Sequence, residues 1–363
     1  MNGKNKMIAW IAGIIGVIIL LIVVIVRIEP EKEGITRAEV SKALALALAD
    51  RKECEAEAKQ REKSWFSEQE QDNWFAKYMD LLYERGYLNP ELTPADLESA
   101  QKEFTYQEAA YTAAKFSGRL KRQVGLKDKN RQKPFPADQW WELYREILKE
   151  ADPDENVKEI TAILYGTPSN IQGAPSWTAY TTEGEYGFQG LALDAWLDHE
   201  IRFMVRGNEI AAVTAVKNGS VVYRNIWLSE VKDGVFKAYM GAASREFKAE
   251  GKLAEEAKKT EGRLAPNLSD LYVEHGRLSR VTVKKERIHG KILSVTEDTV
   301  EIEGYGTIPL DENFYVYKLF GEFSVLGAAD ILVGYDLQEF VAADGKLCAA
   351  LLERPFDART IRV

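Results

Sequence analysis

Cleaving a glycosidic bond takes a carboxyl group held at raised pKa, usually with a second carboxylate beside it, so acidic pairs come first. Asp194 and Asp198 stand four apart and would share one helix face; Glu301 and Glu303 stand two apart and would share one strand face. The chain has 57 aspartates and glutamates, enough for such pairs to arise freely, and solvated surface charge is the expected state of both. His199, His275 and His289, with Cys54 and Cys348, are too few and too scattered to suggest a zinc site. The cysteines read as two independent thiols, a single long-range bridge being the alternative; a secreted disulfide framework would show more, closer together. No EF-hand spacing, G-x-S-x-G elbow, phosphate-binding loop or H-E-x-x-H occurs. Gly304-Tyr305-Gly306 reads as strand or turn, because no helix pattern follows it. The residues therefore assign no catalytic group, no metal and no cofactor.

Composition narrows the partners. Hydrophobic residues at 45% and aromatics at 10% suffice to build cores, and 363 residues leave room for one large domain or two ordinary ones. A formal charge of −9 opposes nucleic acid, whose phosphates would meet a like field. The basic run Lys127–Lys133 is short and bounded by acidic helices.

Elements that would position a site follow from periodicity. Ile8 through Val26 is apolar and uncharged, and its 19 residues would reach about 28 Å as a helix, the thickness of a bilayer core. A cleaved signal peptide competes with a signal-anchor, but the run exits into Val26-Arg27-Ile28-Glu29-Pro30, a poor cleavage site. Residues 1–28 are thus expected to be a cytoplasmic tail and transmembrane anchor. Lys4 and Lys6 before the run, and Arg27, Lys32, Arg37 and Lys42 after it, leave the positive-inside rule divided. The bulk is expected outside.

Residues 29–165 read as helical: Val40, Ala43, Leu44, Ala47 and Leu48 mark one face, Phe75, Tyr78, Met79 and Leu82 another, and Trp140, Trp141, Tyr144, Ile147 and Leu148 a third. Thr105-Tyr106-Gln107-Glu108 has capping-box form. Gly and Pro crowd residues 166–198, which read as a connector. From His199 the period becomes two, with turn signals at Gly207-Asn208, Asn218-Gly219, Asp233-Gly234, His275-Gly276 and Glu297-Asp298, and the charged, Ala-rich stretch 246–261 reads as a helix or a solvated excursion between two strand groups. The expected fold class is multidomain α+β: an N-terminal transmembrane helix, an all-α domain, then antiparallel β-rich small barrel or sandwich modules over 199–363, divided as 199–250 and 265–363.

Two passages carry resemblances. Ile35-Thr36-Arg37-Ala38-Glu39-Val40 resembles the ITRAE signature of S-layer homology repeats. Trp74-Phe75, Glu84-Arg85-Gly86-Tyr87-Leu88 and Phe104-Thr105-Tyr106-Gln107-Glu108-Ala109-Ala110 follow the order of that repeat in degenerate form, and Trp140-Trp141 would open a third copy. The resemblance implies docking on anionic cell-wall polysaccharide through the signature arginine, which singles out Arg37, with Glu39 beside it. The second copy has Tyr106 in place of that arginine, so a helical scaffold that kept the packing and lost the ligand is the alternative. Both residues could also simply cap and solubilise the first helix.

The second resemblance spans the whole chain, with its specific words between 288 and 363. Ile288-His289-Gly290-Lys291-Ile292, Val300-Glu301-Ile302-Glu303-Gly304-Tyr305-Gly306, Ile308-Pro309-Leu310-Asp311-Glu312-Asn313-Phe314, Val333-Gly334-Tyr335-Asp336 and Ala343-Asp344-Gly345-Lys346-Leu347-Cys348 are similar to the β-rich region ahead of the catalytic core in membrane-anchored proteins of the stage II sporulation protein D (SpoIID/LytB) type. It implies extracytoplasmic placement, a spore-former-like source and a role in peptidoglycan remodelling. In such proteins the lytic transglycosylase core would begin about where Thr360-Ile361-Arg362-Val363 stands, so no catalytic residue carries over. The expected function is a single-pass, membrane-anchored platform at the cell wall, binding glycan or a cell-wall or sporulation protein. The alternative is the anchored front part of such a transglycosylase.

Overall fold

The computed structural model describes residues 34–217, 220–240, 243–319, 323–331 and 339–352, with backbone alone over 260–263. The chain divides into two compact units, Met1–Lys158 with Met204–Gly207, and Glu159–Phe203 with Asn208–Val363.

The first unit carries α1 (Arg37–Leu48), α2 (Arg51–Gln60), α3 (Ala76–Glu84), α4 (Leu97–Gln101), α5 (Tyr106–Phe116), α6 (Gly118–Gln123) and α7 (Ala137–Ala151). Three short extended segments organise it. Gly34 pairs with Pro136, Thr36 with Glu103, and Thr105 with Pro134, so each segment touches both others. Phe104 N–H donates to Ile35 O at 2.8 Å and Phe135 N–H to Phe104 O at 2.7 Å. Ile35, Phe104 and Phe135 are all buried, an apolar residue from each segment. Every segment leads into a long helix: α1, α5 and α7. Thr36 and Thr105 close reciprocal capping boxes with Glu39 and Glu108, which satisfy orphan N–H groups at the helix starts. Pro136 enters α7 without a side-chain cap, its ring fixing φ near the value the helix entry needs. A third segment-to-helix entry thus stands at Phe135-Pro136, five residues before Trp140. On α7, Trp140, Leu143, Tyr144 and Ile147 form the buried stripe, and Tyr144 OH donates to Ala43 O at 2.7 Å.

The strands form three sheets. In the first, β1 (Val157–Gly166), β2 (Thr178–Thr181), β3 (Gly184–Gly187), β4 (His199–Arg206) and β5 (Glu209–Lys217) close in the order β1-β2-β3-β5-β4. The second runs β10-β9-β6-β7-β8, from β6 (Ser220–Lys232), β7 (Val235–Met240), β8 (Ala243–Lys248), β9 (Asn267–Glu274) and β10 (Arg277–Val283). Helix α8 (Gly251–Leu264) connects β8 to β9, and its Leu253 and Ala257 join the core of that sheet. The third takes β11 (Glu286–His289), β12 (Ile292–Val295), β13 (Thr299–Ile302), β14 (Gly306–Lys318), β15 (Ser324–Leu326), β16 (Glu339–Ala343) and β17 (Lys346–Leu352), in the order β11-β16-β17-β14-β13-β12 with β15 on β14. Its two edges, β11 and β12, are consecutive in the chain and joined by Gly290-Lys291 alone. A Cβ at Gly290 would lie 2.5 Å from Ile302 Cγ2 and 3.0 Å from Glu303 O, so the link passes where only glycine fits.

This architecture corrects the expected fold class. Among the described residues no helix is long and apolar enough to cross a membrane; the run 8–26 lies outside them, as do the motif 333–336 and residues 360–363. Strands begin at Val157, within the stretch expected to be helical, and the expected connector 166–198 carries β2 and β3. The β region has three sheets, of which β10-β9-β6-β7-β8 is antiparallel throughout and the other two are mixed: β3 with β5 and β14 with β17 run parallel. Four-residue strands between glycines are too short to show a period, which is why β2 and β3 read as loop. The charged helix starts at Gly251, because Arg245 and Phe247 turn inward on β8 first.

Candidate functional site

The acidic pairs do not form a site. Asp194 Oδ1 accepts from Thr167 Oγ1 and from Ser169 Oγ at 3.0 Å. Asp198 lies beyond the end of the one-turn helix Leu193–Trp196, at φ +61°, and is buried. Both its oxygens meet the Arg245 guanidinium at 2.6 Å, and Tyr223 OH donates to Oδ1 at 2.6 Å. Arg245 also donates to Tyr165 O at 2.9 Å and stacks over Phe247 at 4.3 Å. Burial, then the Asp198 charge, pushes the Tyr223 hydroxyl well above its ordinary pKa, so it stays a donor. This is a saturated structural pair, not an acid poised for transfer. Glu301 accepts from Ser294 Oγ at 2.9 Å on β13, whereas Glu303 stands in the exposed turn after that strand.

The two thiols are free and buried. Burial pushes Cys54 up to about 12. Burial also raises Cys348, although the Lys284 ammonium 3.5 Å away pulls the other way. Neither holds the thiolate that nucleophilic chemistry needs. Among the described residues no group of three or more His, Cys, Asp or Glu side chains gathers as a metal site would require.

Arg37 and Glu39 are both engaged within the helical unit. Glu39 Oε2 accepts from Thr36 N–H at 2.9 Å and Thr36 Oγ1 at 2.7 Å, closing the cap of α1. Arg37 Nε lies 2.7 Å from Glu108 Oε1, and NH1 donates to Ser99 Oγ at 2.9 Å and Ser99 O at 3.2 Å. Glu108 collects Thr93 Oγ1 at 2.6 Å, Thr105 N–H at 2.9 Å and Thr105 Oγ1 at 2.7 Å besides. Only 12% of the Arg37 side chain and 3% of the Glu108 side chain is exposed, so Arg37 ties the start of α1 to the start of α5.

Compared with known proteins, the sequence matches no family model and no curated protein. Site assignment therefore rests on geometry, and among the described residues two clefts stand out.

The cleft in the β unit, about 620 Å³, is lined by Arg224, Asp270, Lys284, Asp311, Lys346 and Cys348 among others. Its inner groups satisfy one another. Lys284 Nζ lies 3.1 Å from Asp270 Oδ1 and also donates to Asn225 Oδ1. Asn225, at φ +55° where β6 bulges, donates its amide to Asp311 Oδ1 at 3.0 Å and Asn313 O at 2.9 Å, and its N–H to Asp270 at 2.9 Å. Tyr317 OH donates to Asn225 O at 2.6 Å. A ligand here would have to displace bonds already made.

The cleft in the helical unit is larger, about 830 Å³. Val124, Phe135 and Leu143 form a buried apolar floor. Gln123, Gln139, Glu142, Arg145, Glu146 and Lys149 stand around it, four of them exposed. Gln139 occupies the register that Glu39 and Glu108 hold at the starts of α1 and α5, but the N-cap here is Pro136, which leaves no hydroxyl to close a capping box. The amide is thereby left at the cleft rim. Glu146 bonds Lys149 and Arg119, and these cations hold its carboxylate below the usual range. An apolar floor with amide, guanidinium, ammonium and carboxylate groups at the rim suits a polyhydroxylated ligand, which presents both C–H faces and hydroxyls.

Sequence reasoning missed this cleft because its floor residue, Phe135, precedes the helix whose aromatic stripe drew attention. It also missed Asn225, a lone polar residue in a strand whose only signal was Arg224-Asn225 interrupting an alternating apolar run.

Proposed function

We propose that the chain is a cell-wall-associated binding or positioning platform without catalysis of its own, linked to peptidoglycan remodelling or sporulation. In this reading the chain is held at the cell membrane with its bulk outside the cytoplasm, and the uncharged run 8–26 supports that placement. The observation that carries the proposal is the helical cleft at the third copy of the repeat, where Gln139 and Arg145 border an apolar floor. Cell-wall glycan is the ligand this chemistry favours. The resemblance to S-layer homology repeats points the same way, with the contact moved from Arg37, which Glu108 occupies, to the third copy.

Glu55, Glu70, Glu98, Glu146 and Asp152 are displaced below the usual carboxylate range, the direction opposite to that of a glycosidic general acid. Co-sedimentation of the chain with purified sacculi tests the proposal. Retention is expected; a chain that stays in the supernatant would exclude glycan as the ligand.

A further inference from the structure

Residues 121–133 form the most one-sided charged surface of the helical unit. Lys121, Arg122, Lys127, Lys129, Arg131 and Lys133 face one acid, Asp128, and all six cations are exposed. None stands in an ion pair among the described residues. Neighbouring Arg119, by contrast, is engaged by Glu146 and Glu150 at 3.0 and 3.3 Å. On a chain of net charge −9, six exposed cations without counter-charges make a local positive field that attracts an anionic partner.

The segment is built rather than loose. α6 ends at Gln123, and Gly125 turns the chain at φ +66°. Asn130 then ties the loop: its Oδ1 accepts from Lys127 N–H at 2.7 Å, its amide donates to Gly125 O at 3.2 Å, and its carbonyl accepts from Lys133 N–H at 2.9 Å. At the tip, between Gly125 and Lys127, Leu126 is 37% exposed, one of few large apolar side chains left open to solvent.

We infer that this loop is a docking surface for an anionic phospholipid bilayer. Phosphate headgroups would meet the cations, and Leu126 would enter the boundary between headgroups and acyl chains. Leu126 decides between lipid and a soluble polyanion: a dissolved polyphosphate or nucleic acid offers charge but no apolar phase for a leucine. The inference goes beyond the wall-binding role and stands independently of it, since the loop and the cleft use different side chains.

The test places an environment-sensitive fluorophore on Leu126→Cys in the full chain, Cys54 and Cys348 being buried. The protein is mixed with vesicles of phosphatidylcholine alone or of phosphatidylcholine with phosphatidylglycerol. The inference predicts a blue shift in the anionic vesicles only, reversed by salt and abolished by K127E/K129E/R131E, with far-UV circular dichroism unchanged. Equal emission in both vesicles would overturn it. So would a shift that soluble polyphosphate reproduces without lipid, or one that survives the charge reversal.

Discussion

A cysteine reacts as thiolate, and burial withholds that form from both thiols of this chain. With Cys54 displaced to about 12 and Cys348 displaced upward, native protein in mildly alkaline buffer should release no thionitrobenzoate from Ellman's reagent, and both thiols should titrate once it is unfolded. Rapid native labelling would show that one of them is accessible and ionised. Asp198 offers a sharper test of buried charge. Asn in its place keeps the tolerance for a left-handed backbone and an acceptor for Tyr223, but leaves the Arg245 guanidinium without its counter-charge. Asp198→Asn should cost about 3 kcal/mol, read as a lower urea midpoint for the β unit. A change below about 0.5 kcal/mol, the usual size for a surface substitution, would mean that the pair is solvated.

At the level of elements, Glu108 joins more of the helical unit than any other side chain described: it caps α5, accepts from Thr93 and neutralises Arg37 of α1. Glu108→Ala removes a cap and strands a buried guanidinium, for an expected loss of about 3–5 kcal/mol in urea unfolding followed at 222 nm. The matching cap residue Glu39 has no buried cation to serve, so Glu39→Ala should cost only about 1 kcal/mol. Similar losses from both would remove the ion pair from the account. These helix starts were legible because a capping box is a local code, Thr-x-x-Glu, readable in four residues. The third start was not, since Phe135-Pro136 carries no such code and its likeness to Ile35-Thr36 and Phe104-Thr105 emerges only when the segments pair. The strands β2 and β3 were hidden for a different reason: at four residues each they owe their form to neighbours in the closed sheet rather than to their own alternation.

At the scale of the whole molecule, two folded units offer different surfaces. In the β unit the polar groups of the cleft around Asn225 and Lys284 are spent on one another. The helical unit keeps Gln139 exposed over buried Phe135, with Lys149 paired to Glu146 at the rim. Composition carried only an expectation against nucleic acid, through the acidic balance, and it could not point to a cleft that separated segments assemble. The proposed platform role therefore stands or falls on that cleft. Wild-type chain and the Gln139→Ala/Arg145→Ala variant should be incubated with purified sacculi, measuring the pelleted fraction and any soluble muropeptides. The account predicts that wild type pellets, that the variant binds roughly tenfold or more weakly, as the loss of two hydrogen-bonding rim groups implies, and that no muropeptides are released. Equal pelleting of the two proteins, or steady release of muropeptides by the wild type, would contradict it.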